Sequence, residues 1–223
     1  MTQRTRGGLL LIAGIACVIN VFAWRAVLSP VQLSVVVLPT ENGTSVLLRT
    51  PEGYTALINT GADASILRAL GETLPEWKRN IDILFLTDLA PISAGGISAL
   101  LQRYEVRMLA RPEARGTKAQ ESSFADAISG GSPVVRYARR GDRFALGNTF
   151  VEVLWPPDTP SIPEQKDGSL VLRVTHRKTS FLVRGALSVR TLSWETSLDG
   201  RGTIFVISSS TPAGTYSPGD LPI

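Results

Sequence analysis

Few residues in this 223-residue chain carry side chains able to do chemistry, and their spacing limits what that chemistry could be. The strongest pattern runs from Ile81 to Gly96, IDILFLTDLAPISAGG. A run of buried-strand type ends at Thr87, a short loop holds Asp88, and Gly95-Gly96 leads into an amphipathic stretch. A loop leaving a buried strand is where a hydrolase would present metal ligands, and Asp63, Asp82 and Asp88 are carboxylates that could hold magnesium or manganese there. Asp88 also reads as a turn or helix N-terminal acid, and Asp82 points away from the loop if the strand alternates. The one histidine, His176, falls in a turn-like segment, Thr175 to Lys178, and reads as solvated. Ser208, Ser209 and Ser210 have no G-x-S-x-G elbow and no base near them in sequence, which argues against serine hydrolysis. With one His and one Cys in the whole chain, a dinuclear zinc site built from imidazoles and thiolates is nearly excluded.

The second group is basic. Arg136, Arg139, Arg140 and Arg143 lie close together, and Arg103, Arg107, Arg111, Arg115 and Lys118 recur at intervals of three or four. A net charge of +4 and a pI near 9.6 permit an anionic partner. Such residues form either solvated surface or a contact for nucleic-acid phosphates. Only Tyr104, Phe124 and Tyr137 lie nearby to stack on bases, so any such contact is expected to be salt-sensitive and sequence-blind.

The apolar content of 43% suits one domain joined to a membrane segment. Gly7 to Trp24 has no charged residue and only Asn20 as a strong polar group. As a helix it is about 27 Å long, close to the hydrocarbon thickness of a bilayer. Arg4 and Arg6 precede it and Trp24-Arg25 suit the far interface, so the positive-inside rule places the N-terminus in the cytoplasm and the rest outside. A cleaved signal peptide ending near Ala23 is the rival reading. The run exceeds the usual ~7 to 15-residue signal core, so an uncleaved single-pass anchor in the cell membrane is the expectation. Cys17 lies inside this run with no intrachain partner and reports nothing about compartment. Residues 1–29 are thus expected to be stub and anchor, and 30–223 an extracytoplasmic domain whose oligomeric state the sequence leaves open.

The elements that position the candidate residues follow from apolar runs between turn signals. Gln32 to Leu38 and Ser45 to Arg49 read as a hairpin about Thr40 to Thr44, with a third strand over Tyr54 to Ile58. A helix is expected from about Ala64 to Leu74, then strand Ile81 to Leu86, helix Ile97 to Arg103 and strand Val106 to Ala110, a βαβα rhythm. Glu113 to Gly131 is polar, helix and loop. Pro133 to Tyr137, Asp142 to Ala145, Phe150 to Trp155, Ser169 to Thr175 and Ser180 to Val183 read as short strands, with an exposed Pro-rich loop over Pro156 to Gly168. The tail from Thr211 reads as extended or poorly ordered.

Taken in order, these segments resemble the metallo-β-lactamase-like domain of ComEC-type DNA-internalisation competence proteins, with the membrane helix that precedes it. The superfamily's ligand loop, T-H-x-H-x-D-H-x-G-G, aligns with Thr87 to Gly96, and its ligand slots hold Asp88, Ala90, Ile92 and Ser93. The family's L-D-V-G-Q-G-D becomes Leu38 to Thr44, with Pro39 and Thr44 for the aspartates, and its I-D-T-G becomes Ile58-Asn59-Thr60-Gly61. Leu74-Pro75-Glu76-Trp77, Val153 to Pro157, Ser169 to Arg173 and Lys178 to Gly185 resemble further family segments. Where the family has a metal-bridging aspartate the chain has Ala186, and where it has a late histidine pair the chain has Ser209 and Ser210.

The resemblance implies an α/β fold, the layered αββα metallo-β-lactamase arrangement, shortened at the C-terminus. It implies a family that binds one or two zinc or manganese ions, whereas the ligand positions here are vestigial and no cofactor is expected. The reading it favours is a membrane-anchored pseudoenzyme that scaffolds or binds, in DNA uptake and beside a channel protein, with Arg136, Arg139, Arg140 and Arg143 as nucleic-acid contacts. The alternatives are a metal-dependent nuclease or phosphodiesterase using non-standard carboxylates, and an inactive gene fragment.

Overall fold

The computed structural model describes residues 13–18, 20–21, 24, 32–113, 116–131, 133–155, 169–184, 204–207 and 214–216. Alternation along the first strands decides the layering. In β1 (Ser34–Leu38), Val35 and Val37 enter one apolar cluster while Val36 and Leu38 enter another. A strand buried on both faces reads as a continuous apolar run, as this one does.

β1 pairs antiparallel with β2 (Ser45–Arg49), and β2 with β3 (Thr55–Ile58). From β3 the pairing turns parallel through β4 (Asn80–Phe85), β5 (Glu105–Pro112) and β6 (Val134–Ala138). The crossovers are helical: α1 (Ser65–Thr73), the single turn α2 (Pro91–Ala94) with α3 (Ile97–Arg103), and α4 (Lys118–Ile128). A capping box starts α4: Gln120 N–H donates to Thr117 Oγ1 and Thr117 N–H to Gln120 Oε1. The second sheet comprises β7 (Arg143–Leu146), β8 (Thr149–Trp155), β9 (Val171–His176), β10 (Thr179–Arg184) and β11 (Ile204–Ile207). The strand β12 (Gly214–Tyr216) returns to the first sheet and pairs with β1, so this part of the expected loose tail is ladder.

Val37, Val46, Ile58 and Phe85 of the first sheet meet Leu146, Val153, Leu172 and Phe181 of the second. Phe85 and Phe144 cross this boundary edge to face, centroids 5.0 Å apart. Ile66, Leu70, Ile97, Leu100 and Phe124 cover the other face of the first sheet. Each such burial contributes about 1.5–3 kcal/mol, more than a surface ion pair at ~0–1 kcal/mol, so the layers rather than the charges hold the domain. The outer face of the second sheet carries a small cluster, Val171 and Leu182 against Leu154 and Trp155. Three of the four expected layers lie within the described residues.

Residues 13–18, 20–21 and 24 of the expected anchor are helical, and Ile15, Val18, Val21 and Trp24 are exposed. Among the described residues no helix is long and apolar enough to cross a membrane. The rest of Gly7 to Trp24 lies outside them.

Candidate functional site

The strand directions bring three loops to one edge of the first sheet: 39–44 after β1, 59–63 after β3 and 87–96 after β4. Backbone bonds stitch them together. Thr60 N–H donates to Ser93 O at 2.8 Å, Gly96 N–H to Gly61 O at 3.1 Å and Ala62 N–H to Asn42 O at 3.0 Å. Thr87 O accepts from Leu170 N–H at 2.7 Å, which ties the same loop to the second sheet. The loops touch too closely for side chains at their contacts. A Cβ on Gly95 would lie 2.1 Å from Ala62 O, and one on Gly43 2.2 Å from Ile92 O.

Asn59 sits at φ +60°, a left-handed conformation that asparagine tolerates, and is buried. Its Oδ1 accepts from Thr87 N–H at 2.9 Å and Thr87 Oγ1–H at 3.1 Å. Asp88 turns back on its own loop: Oδ1 accepts from Ala90 N–H at 2.9 Å, and Oδ2 lies 3.2 Å from Thr87 Oγ1, whose one proton is shared with Asn59 Oδ1 as the alternative acceptor. This is a side chain capping a turn. Ser93 is buried, its carbonyl accepting from both Thr60 N–H and the Thr60 hydroxyl. Ile92 is 43% exposed.

These residues do not fit the one- or two-ion centre that the resemblance implies. Ala90 and Ile92 offer only hydrocarbon, and Asp88 is turned onto the Ala90 N–H of its own loop. The other carboxylates do not gather round it. Asp63 accepts from Ser65 N–H at 2.9 Å ahead of α1, and bonds from the Ser65 hydroxyl and backbone hold its carboxyl below the usual range. Asp82 lies six positions before Asp88, roughly 20 Å along an extended chain. It is buried, accepts from Thr55 N–H at 2.8 Å and pairs with Arg107 at 3.2 Å. Among the described residues, no three His, Cys, Asp or Glu side chains group closely enough to hold a metal ion. Ala186, Ser208, Ser209 and Ser210 lie outside the described residues.

The four clustered arginines are all exposed, where the β6–β7 connection joins the two sheets. Arg136 lies over the Phe144 ring at 5.2 Å and Arg143 over Phe150 at 5.0 Å. Arg139 pairs with Glu113 at 2.7 Å, and its N–H is held by Asp142. The cluster is therefore partly committed to its own fold.

Two sequence readings are corrected. His176 is buried at the end of β9, not solvated: Thr149 pairs with it across the ladder and their side chains meet at 2.9 Å, Oγ1 to Nδ1. The turn itself begins one residue later, at Arg177 with φ +54°. Arg111, expected on a spaced basic face, is 3% exposed. It makes a two-pronged pair to Glu121 at 2.6 and 2.8 Å and lies over Phe124 at 4.8 Å and Tyr137 at 5.5 Å. A glutamate ten positions on, near the start of the next helix, was the available signal for this pair.

No protein-family model matches the sequence, and no curated protein matches it significantly. Solved structures do match. Two structures of a Cronobacter sakazakii metallo-beta-lactamase with an HARLDQ motif are 23% identical, with TM-scores of 0.52 and 0.51, over 69% and 76% of this chain and 60% and 63% of theirs. The chain thus spans somewhat less than two thirds of their length. MEM-A1, a subclass B3 metallo-beta-lactamase from a soil metagenome library, is 15% identical with a TM-score of 0.54, over 81% of this chain and 78% of its own. These likenesses show that the domain has the metallo-beta-lactamase fold.

Proposed function

We propose that this chain is a membrane-anchored, non-catalytic domain on the metallo-beta-lactamase fold, with a scaffold or binding role in DNA uptake beside a separately encoded channel. The observation that carries the non-catalytic part is the loop after β4. Its backbone frame is intact, but hydrocarbon stands at two ligand positions and the remaining carboxylate caps its own turn. One lost ligand would be compatible with altered metal choice, whereas hydrocarbon at two slots and a turn-capping carboxylate at a third leave a cation too few electron pairs. The solved neighbours are named as beta-lactamases, and that activity would need metal donors where this chain has Ala90 and Ile92. DNA binding draws its support from the motif order and from the exposed Arg136, Arg139, Arg140 and Arg143.

The test uses the full chain purified in detergent. Metal content, nuclease turnover with zinc, manganese or magnesium, and DNA affinity across a salt series are measured together. The expected result is less than one bound metal per chain, no chelator-sensitive cleavage, and DNA binding that weakens steeply with salt. Stoichiometric metal with chelator-sensitive cleavage would establish the carboxylate hydrolase instead. Absent DNA binding at low salt would leave the scaffold role and remove DNA from it.

A further inference from the structure

The first sheet has a second edge, opposite the three loops. β1 is antiparallel to β2, and β2 to β3, while β3, β4 and β5 are parallel, so the N-terminal ends of β1, β3, β4 and β5 all lie on this edge. It carries an open groove of about 650 Å³ lined by Trp77, Arg79, Asn80, Arg103, Tyr104 and Arg107. Trp77 is 70% exposed, more than any other large apolar side chain described, and Tyr54, in the neighbouring turn before β3, is 41% exposed. Arg79 lies over the Tyr104 ring at 5.4 Å, and Arg107 shares its charge with Asp82. Arg103 ends α3 at the rim, and the exposed acids on the same edge include Glu76, Glu105, Glu52, which is held by Asn148, and Glu72, which pairs with Arg68.

We propose that this edge is a membrane-facing surface, seating Trp77 among phospholipid headgroups and Arg79 and Arg103 on their phosphates. The inference rests on the anchored reading of Gly7 to Trp24. Three observations favour lipid over a soluble partner. The chain enters the domain on this edge, because β1 begins here. The nine steps from Trp24 to Leu33 reach at most about 30 Å, so a domain tethered to a membrane segment keeps this edge close to the bilayer. An exposed indole beside arginines matches the interface, where the ring sits at headgroup level and guanidinium stems lie along the apolar boundary. A tether also raises effective concentration, so contacts too weak to recruit a free protein suffice to orient an attached one. Each arginine near an anionic surface strengthens such a contact about fivefold.

The full chain is reconstituted in nanodiscs of pure phosphatidylcholine or of an equimolar mixture with phosphatidylglycerol, and side-chain oxidation by hydroxyl radicals is mapped. Oxidation of Trp77 should fall severalfold in the anionic discs, while Tyr137, 55% exposed at the opposite end of the strands, stays constant as the reference. The variant R79E/R103E should abolish the difference, with its melting curve checking that the fold persists. Equal Trp77 oxidation in both lipids, or protection that survives R79E/R103E, would overturn the proposal. Flotation with vesicles after alkaline extraction separates the two levels. A chain that floats but shows no protection defeats the surface alone, and a chain that does not float defeats the anchor and the surface with it.

Discussion

Asn59 Oδ1 accepts two hydrogen bonds from Thr87, one from the backbone amide at 2.9 Å and one from the hydroxyl at 3.1 Å. One neutral amide thereby joins the loop after β3 to the loop after β4, at the position where the resembling family has a carboxylate. N59A should cost about 1–3 kcal/mol for the stranded buried donors, plus about 1 kcal/mol for a Cβ at φ +60° without local support. N59G removes the same bonds but tolerates that backbone. Urea unfolding should therefore rank wild type above N59G and N59G above N59A; equal losses would mean that the φ angle carries none of the cost.

Gly43 and Gly53 give a matched pair. Both lie near φ +90°, but a Cβ on Gly43 meets Ile92 O at 2.2 Å, whereas one on Gly53 meets nothing within 4 Å. G53A should cost about 1 kcal/mol, the ordinary penalty of a left-handed residue. G43A should cost about 2 kcal/mol more, because the loops at the candidate site must separate. Chemical denaturation of the two variants measures the difference, which would vanish if those loops did not pack as described.

The Arg111–Glu121 pair yields a coupling energy. Arg111 is buried and Glu121 about one-third exposed, so E121Q should cost about 2 kcal/mol, less than the 3–5 kcal/mol of a fully buried pair. R111M leaves a flexible apolar chain between Phe124 and Tyr137 and should recover part of that loss. The double variant R111M/E121Q should be more stable than the sum of the single losses predicts. A strictly additive cycle would show that the two side chains do not interact.

Acid stability should carry a signature of Glu52. Burial raises its pKa, but bonds from its own backbone, from the backbone and side chain of Asn148 and from the Thr50 side chain outweigh that and hold it below the ordinary glutamate value. Asn148 donates to it at 2.8 Å from the turn between β7 and β8, so the carboxylate ties the two sheets at their rim. A carboxyl depressed in the folded state stabilises fully above its unfolded pKa of about 4.3 and loses that contribution as pH falls through the lower folded value. E52Q should therefore flatten melting temperature against pH below about 4.5 and leave its slope near neutrality unchanged. An identical acid limb in the two proteins would remove the tie.

Much of the strand order was legible because each strand is a short apolar run closed by Gly, Pro or Asn. The helix Ile97–Arg103 and the strands from Ser45, Thr55 and Thr179 fall where the residues put them to within a position or two. The partition into two sheets did not come from periodicity: strands buried on both faces carry no mark of which sheet they join. His176 and Arg111 were misread for a related reason. Nothing local shows that Thr149 will lie across the ladder from one, or Glu121 and two aromatic rings around the other. β12 is three residues long and has no repeat to detect. The side-chain types in the loop after β4 were the most readable part, because whether a residue carries an electron-pair donor needs no geometry.

The pairing of Val35, Val36 and Val37 with Tyr216, Thr215 and Gly214 joins the first and last described strands in one ladder. About 180 residues separate the partners, which at ~5 to 20 residues per second is roughly 10 to 40 s of synthesis. Throughout that interval one side of β1, three consecutive valines, presents unpaired backbone groups to any other extended chain. The newly made protein is therefore most at risk of pairing with a neighbour before β12 emerges, and slow elongation ahead of that strand would prolong the exposure without altering a single native contact.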